Sequence, residues 1–276
     1  MLTKELTDTI TDFVRQKPRT VQEIAHLLQK NWRTADRYVD TITSETGLLA
    51  TRTFREGTRG ALKIVFWNAI DHAKGSAYQD RLLQRILHGK HKEDFSPFDI
   101  YQFIPADKRE AYLEKNEYPD NKNISNNLLV KKARQQVLYL SGNLSWLDKQ
   151  PEMLTTLEEL SHKKISTKIL TRIDVTSQEK AQQLLAINKR VGWDALHIRH
   201  CEQPLRAMIV DETVASIKEV LSPHHHRELT KNTFIFYRIT DEHWIGWLQK
   251  VFWHLWAQSV DATARIDALK TLKRIV

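Results

Sequence analysis

The chain has 276 residues, 41% hydrophobic and 28% charged, with a net charge of +8 and an isoelectric point of about 9.4; this is length enough for two modest domains, and a basic balance that favours a polyanionic partner, nucleic acid being the commonest. Its one cysteine, Cys201, excludes an intramolecular disulfide and a multi-cysteine zinc site and fits a reducing cytoplasm. There is no apolar run long enough to span a bilayer, and the opening MLTKELTDTITDF lacks the layout of a signal peptide, so a cytoplasmic, nucleoid-associated protein with no membrane partner is expected.

Three helical stretches come first. Leu6, Ile10, Phe13 and Val14 share one face between Thr3 and Arg15, and Lys17-Pro18-Arg19 breaks the pattern. Thr20-Val21-Gln22-Glu23 is a capping box that opens a second helix, with Val21, Ile24, Ala25, Leu27 and Leu28 apolar. After the turn Lys30-Asn31, a third helix runs from Trp32 to Glu45, with Ala35, Tyr38, Val39 and Ile42 inward and Gly47 suited to a C-cap. Leu49 to Phe54 and Ala61 to Trp67 then predict a β-hairpin whose tip holds two glycines. The order of elements is that of a winged helix-turn-helix, and TVQEIAHLLQKNWRTADRYVDTITSETGLL resembles the helix-turn-helix core of many bacterial and archaeal regulators.

That layout puts the third helix in the major groove of double-stranded DNA. Its outward face carries Arg33, Thr34, Arg37 and Thr41, with Lys30 and Asn31 at its start; Arg52, Arg55, Arg59 and Lys63 line the wing. An arginine fork suits guanine or phosphate, and a wing lies along the backbone or in the minor groove. The plainer alternative is that Arg33 and Arg37 solvate the helix and pair with Asp36 and Asp40.

Residues 71–133 are expected to be a helical bridging region. Tyr78, Leu82, Leu83, Ile86 and Leu87 recur at helical spacing, Phe95, Phe98, Tyr101, Phe103 and Ile104 cluster around Pro97, and the asparagine-rich stretch from Asn116 to Asn127 is expected to be an exposed loop. From 134 to 276 the pattern alternates. Strands are expected at Val137–Leu140, Ile165–Ile173, Ala195–His200, Leu205–Val210, Thr213–Leu221 and Phe234–Ile239, with helices at Pro151–Lys163 and Ser177–Val191 and a tryptophan-rich last helix from Asp241. This is the pattern of an α/β layer fold.

QQVLYLSGNLSWL, ISTKILTRI, LRAMIVDETVASIKEV and WLQKVFWHLWAQS resemble the strands and closing helix of the phospholipase D-like domain found behind winged helices in archaeal regulators related to the TrmB family. The expected organisation is therefore a winged helix-turn-helix over 1–70, a helical linker over 71–133 and an α/β phospholipase D-like domain over 134–276. In active members of that family a His-x-Lys-x-x-x-x-Asp motif supplies the histidine nucleophile. Here Pro204 stands at the histidine position while Arg206 and Asp211 keep the spacing. His88-Gly89-Lys90 is a stray match in a helical context, with Asp94 one residue off.

No phosphate-binding glycine loop or dinucleotide fingerprint is present. His197 and His200 are set on opposite faces of a strand, and His224, His225 and His226 fall in a surface loop. The expectation is a sequence-specific transcription regulator that is not an enzyme, with no catalytic residues, cofactor or metal. Its C-terminal domain is expected to sense a small-molecule effector, through Arg206 and Asp211 as anion or ligand contacts, or to form a homodimer. The alternatives are a phospholipase D-like nuclease or phosphodiesterase brought to DNA by the winged helix, and a chromatin or assembly protein.

Overall fold

The computed structural model describes residues 2–46, 49–55, 61–67, 76–113, 126–226 and 229–275. In chain order the helices are α1 (Lys4–Gln16), α2 (Val21–Leu28), α3 (Trp32–Thr46), α4 (Ser76–His88), α5 (Phe98–Tyr101), α6 (Asn126–Lys131), α7 (Trp146–Lys149), α8 (Glu152–His162), α9 (Gln178–Val191), α10 (Glu242–Ala257) and α11 (Ala262–Ile275). The strands are β1 (Arg19–Thr20), β2 (Leu49–Arg55), β3 (Ala61–Trp67), β4 (Arg109–Leu113), β5 (Gln136–Leu140), β6 (Ser166–Thr171), β7 (Leu196–His200), β8 (Ala207–Val210), β9 (Val214–Leu221), β10 (Thr233–Ile239) and β11 (Val260–Asp261). The fold is mixed α and β with a large mixed sheet. The chain forms two compact units: one of Met1–Tyr78, Pro97–Pro119 and Glu219–Tyr237, the other of Gln79–Ser96, Asp120–Lys218 and Arg238–Val276.

In the first unit, α1, α2 and α3 pack on a sheet of order β1-β3-β2. Thr3 caps α1 through the Leu6 amide. The capping box forms in both directions, Thr20 N donating to Glu23 Oε2 at 2.7 Å and Glu23 N to Thr20 Oγ1 at 3.1 Å, so two otherwise orphaned amides are satisfied. Helix α2 stops at Gln29, whose φ of 51° is left-handed, and this releases the chain into a turn closed by Asn31, whose Oδ1 accepts from the Thr34 amide at 2.9 Å. The inward stripe of α3 is the expected one: Ala35, Tyr38, Val39 and Ile42 join Ile10, Val14, Ile24, Leu49 and Val65 in one core. Each large aliphatic side chain there contributes about 1.5–3 kcal/mol of burial.

Strand β1 was not expected. The segment read only as a break after α1 pairs antiparallel with β3, Arg19 opposite Val65 and Thr20 opposite Ile64. Pro18 lacks an amide to donate and ends α1, but Arg19 is free to join the sheet edge. The hairpin expected from the sequence is present as β2 and β3, Leu49 opposite Trp67 through Arg55 opposite Ala61. Gly47 and the tip from Glu56 to Gly60 lie outside the described residues. The stretch expected to be helical also contains β4, a neighbour of β10. Of the aromatic cluster around Pro97, Phe98, Tyr101 and Phe103 belong to this unit and Phe95 to the other; Phe98 lies 5.0 Å from Phe66 and 5.8 Å from Tyr237 between ring centroids. Most of the asparagine-rich stretch lies outside the described residues.

The second unit is built on strands ordered β11-β7-β6-β5-β8-β9. Strands β5, β6 and β7 are parallel, and β8 runs antiparallel beside β5. One face is filled by Val137, Tyr139, Ile169 and Ile198 against Leu157, Leu160, Leu184 and Ile187 of α8 and α9. Helix α10 buries Trp244, Trp247, Leu248, Val251, Phe252 and Leu255, the stripe expected from its spacing. It is not the last helix: α11 follows. Ser177 stands at the N-cap of α9 without capping it: its Oγ accepts the Asp174 amide at 2.9 Å and donates to the Arg172 carbonyl at 2.9 Å. Among the described residues no helix is long and apolar enough to cross a membrane.

Candidate nucleic-acid interface and the strand-end cluster

The outward surface of α3 is made by two rows four residues apart, Trp32-Asp36-Asp40 and Arg33-Arg37-Thr41. They line an open concavity of about 590 Å³. Residues four apart sit one above the other on a helix, so this pattern follows from the same periodicity that buries Ala35, Tyr38, Val39 and Ile42. Arg33 and Arg37 are exposed, their guanidinium carbons 5.7 Å from the Trp32 ring and 5.8 Å from the Tyr38 ring.

The two carboxylates of this surface do not pair with those arginines. Lys63, reaching from β3, places Nζ 2.6 Å from Asp36 Oδ1 and 2.7 Å from Asp40 Oδ1. Burial alone would lower the Lys63 pKa, but hydrogen bonds and charge from both aspartates outweigh it and raise it. One lysine thus offsets much of the negative charge on the helix and leaves its two arginines to set the character of the surface.

The remaining expected contacts divide. Lys30 is exposed and Thr34 partly buried. Asn31 caps α3 as described, and Thr41 Oγ1 donates to the Arg37 carbonyl at 2.9 Å. Arg52 turns its guanidinium inward, donating to the Ala111 carbonyl. Arg55 has its backbone in β2, but its side chain, like the whole of Arg59, lies outside the described residues. Trp32 escaped the sequence reading although it is 49% exposed; the available signal was its position, out of phase with the inward stripe.

The second unit gathers cations at the carboxyl ends of its parallel strands, the edge at which open α/β sheets commonly hold ligands. Arg206 donates Nη1 to the carbonyls of Gln203, at 3.2 Å, and Leu205, at 2.8 Å. Its guanidinium lies on Gly142, just past β5, where an added Cβ would come within 2.5 Å of Nε. Burial lowers the Arg206 pKa and the neighbouring charge of Arg172 lowers it further, against the attraction of Glu93. Arg172 itself pairs with Asp174 at 3.1 Å.

His200, at the end of β7, accepts the Ile173 amide on Nδ1 at 2.9 Å, which assigns the proton of the neutral ring to Nε2. Burial, then the charge of Arg265, lower its pKa. Burial pushes the adjacent Cys201 thiol up to about 11, with the charge of Glu202 adding to it. Asp211 is not part of this cluster. It holds a left-handed φ of 51° and accepts the amides of Arg134, Gln135 and Gln136, each at 2.9 Å, on its two oxygens. The spacing that linked it to Arg206 in the sequence puts it at the opposite end of β8. Pro204 packs against Gly89. His88 ends α4 and Gly89 and Lys90 follow it, where the amides of Lys90 and His91 donate to Asp94 Oδ2 at 2.8 and 2.9 Å.

No family model matches the chain, and no curated protein matches it. Among solved structures, it is similar to NucT from Helicobacter pylori, with 12% identity and a TM-score of 0.42 over 56% of this chain and 98% of that one. It is similar to TrmBL2, an archaeal chromatin protein with a novel mode of DNA binding, with 13% identity and a TM-score of 0.40 over 94% of each chain. It is also similar to a phospholipase D family member, Nuc from Salmonella typhimurium, with 13% identity and a TM-score of 0.39 over 55% of this chain and 96% of that one. The expectation that the chain is not an enzyme is corrected here. The structures it resembles include NucT and the phospholipase D family member Nuc, and a proline at position 204 does not by itself establish a non-enzymatic chain.

Proposed function

We propose that this protein is a double-stranded DNA-binding transcription regulator whose N-terminal residues form a winged helix-turn-helix, with α3 as the recognition helix. The observation that carries the reading is the outward surface of α3. It presents Arg33 and Arg37 to solvent while Lys63 holds the two aspartates beside them. A helix of this size fits the major groove, and paired guanidinium groups suit guanine edges and phosphates. Lys30, Thr34 and Thr41 flank the same surface, and Arg55 and Arg59 belong to the hairpin expected to follow the DNA backbone. Lys63 serves the surface through Asp36 and Asp40, whereas Arg52 is turned to the Ala111 carbonyl.

In this reading residues 134–276 form a phospholipase D-like domain that receives an anionic effector at Arg206 and Arg172 and brings two chains together on DNA. The test is fluorescence anisotropy of the purified chain with a mixed-sequence 20-base-pair duplex. Phosphate neutralisation releases counterions, so affinity is expected to fall by about two orders of magnitude between roughly 50 and 200 mM salt. An affinity that does not change over that range overturns the reading.

A further inference from the structure

Trp32 is the first residue of α3, and 49% of it is exposed. A large aromatic side chain held half in solvent forgoes much of the burial that would stabilise the fold. Nothing in the packing of α3 requires it there, since the core is closed by Ala35, Tyr38, Val39 and Ile42. The indole forms one wall of the open concavity that Arg33 and Arg37 also line, and the Arg33 guanidinium carbon is 5.7 Å from its ring. An apolar plate is thus fixed among two cations, at the end of the helix from which base edges are usually read.

The charge of this surface selects the occupant. A second copy of the chain, docked through the same patch, would bring four arginines together with aspartates that Lys63 already engages, whereas a duplex offers phosphates to the arginines. It also offers an apolar group in the major groove, the C5-methyl of thymine. We propose that Trp32 is a specificity-determining residue that lays its indole against a thymine methyl group, while Arg33 and Arg37 supply affinity. The proposal rests on the DNA-binding reading above and adds a chemical group to it.

The experiment begins with selection of duplexes from a randomised 20-base-pair pool by the full-length protein. Each thymine of the selected duplex is then replaced in turn by deoxyuridine, which removes only the methyl group, and affinities are measured for the natural chain and for Trp32→Ala. For the natural chain one or two replacements are expected to weaken binding about fourfold each, the worth of one buried methyl-sized group. Trp32→Ala is expected to be indifferent to those replacements while keeping its salt dependence. Because Trp32 closes no core, the variant should melt with the natural chain. If the two chains respond alike to every replacement, Trp32 does not read the methyl group, and the same holds if the variant changes only the oligomeric state. If the natural chain retains no duplex at all, the DNA-binding reading itself fails and the proposal with it.

Discussion

Two groups of arginines occupy opposite situations in this molecule. On α3 the guanidinium groups of Arg33 and Arg37 stand in solvent, while the carboxylates beside them are held from another element by Lys63. At the strand ends of the second unit Arg206 is largely buried, anchored on two carbonyls and laid on a glycine. A charge that keeps its water can exchange it for a phosphate at little cost, whereas a charge already anchored holds a shape. The first arrangement suits association with a large polyanion. The second suits a fixed position for a small anion, or support of the strand ends themselves.

The sharpest way to break the contrast is to remove the exposed pair. Arg33→Ala with Arg37→Ala is expected to lower duplex affinity by about a hundredfold near 100 mM salt and to reduce the slope of log affinity against log salt by about two. Anisotropy titrations at four salt concentrations read both. The melting temperature should not fall, because neither guanidinium supports the core. A variant that binds as tightly as the natural chain would place the DNA contact elsewhere.

Local pattern made much of the first unit readable. Thr20 and Glu23 are three residues apart and satisfy one another, and the buried stripe of α3 follows a helical period, so each was visible within a short window. What stayed hidden depends on partners distant in the chain. Lys63 and Arg52 counted as wing cations by position, but Asp36, 27 residues away, and Ala111, 59 residues away, decide where their charges go. Asp211 shared a motif spacing with Arg206, yet β8 lies between them, setting them at its opposite ends and giving Asp211 to three amides. The exposure of Trp32 was hidden for a different reason: an apolar residue out of phase is ordinarily treated as noise in a periodic pattern.

The role of Lys63 sharpens the same contrast within the first unit. If it acts by holding Asp36 and Asp40, then Lys63→Met leaves two carboxylates facing the phosphates and should lower duplex affinity about tenfold, as like-charge contacts of this kind do. Combining it with Asp36→Asn and Asp40→Asn should restore most of that loss. A lysine that touches phosphate directly would behave otherwise, since the asparagines could not replace its charge and the triple variant would remain as weak as Lys63→Met. Circular dichroism of each variant separates loss of the hairpin from loss of binding.

The smallest expected effect concerns the anchored arginine. A Cβ at Gly142 would lie 2.5 Å from Arg206 Nε and 2.7 Å from Cζ, closer than real side chains approach, so either the guanidinium or the loop after β5 must shift. Arg206 is long and flexible, which keeps the cost low, but the hydrogen bonds from Nη1 to Gln203 and Leu205 resist the shift. Gly142→Ala is therefore expected to destabilise the second unit by about 1 kcal/mol, at the low end for an overpacked site. The decisive comparison is a double-mutant cycle by urea denaturation. Where Arg206→Ala has already removed the guanidinium, Gly142→Ala should cost nothing, because an alanine side chain leaves the space open. An equal cost in both backgrounds would mean that the glycine serves the backbone of the loop rather than the arginine, and Arg206 would then lose its place as a fixed charge at the strand ends.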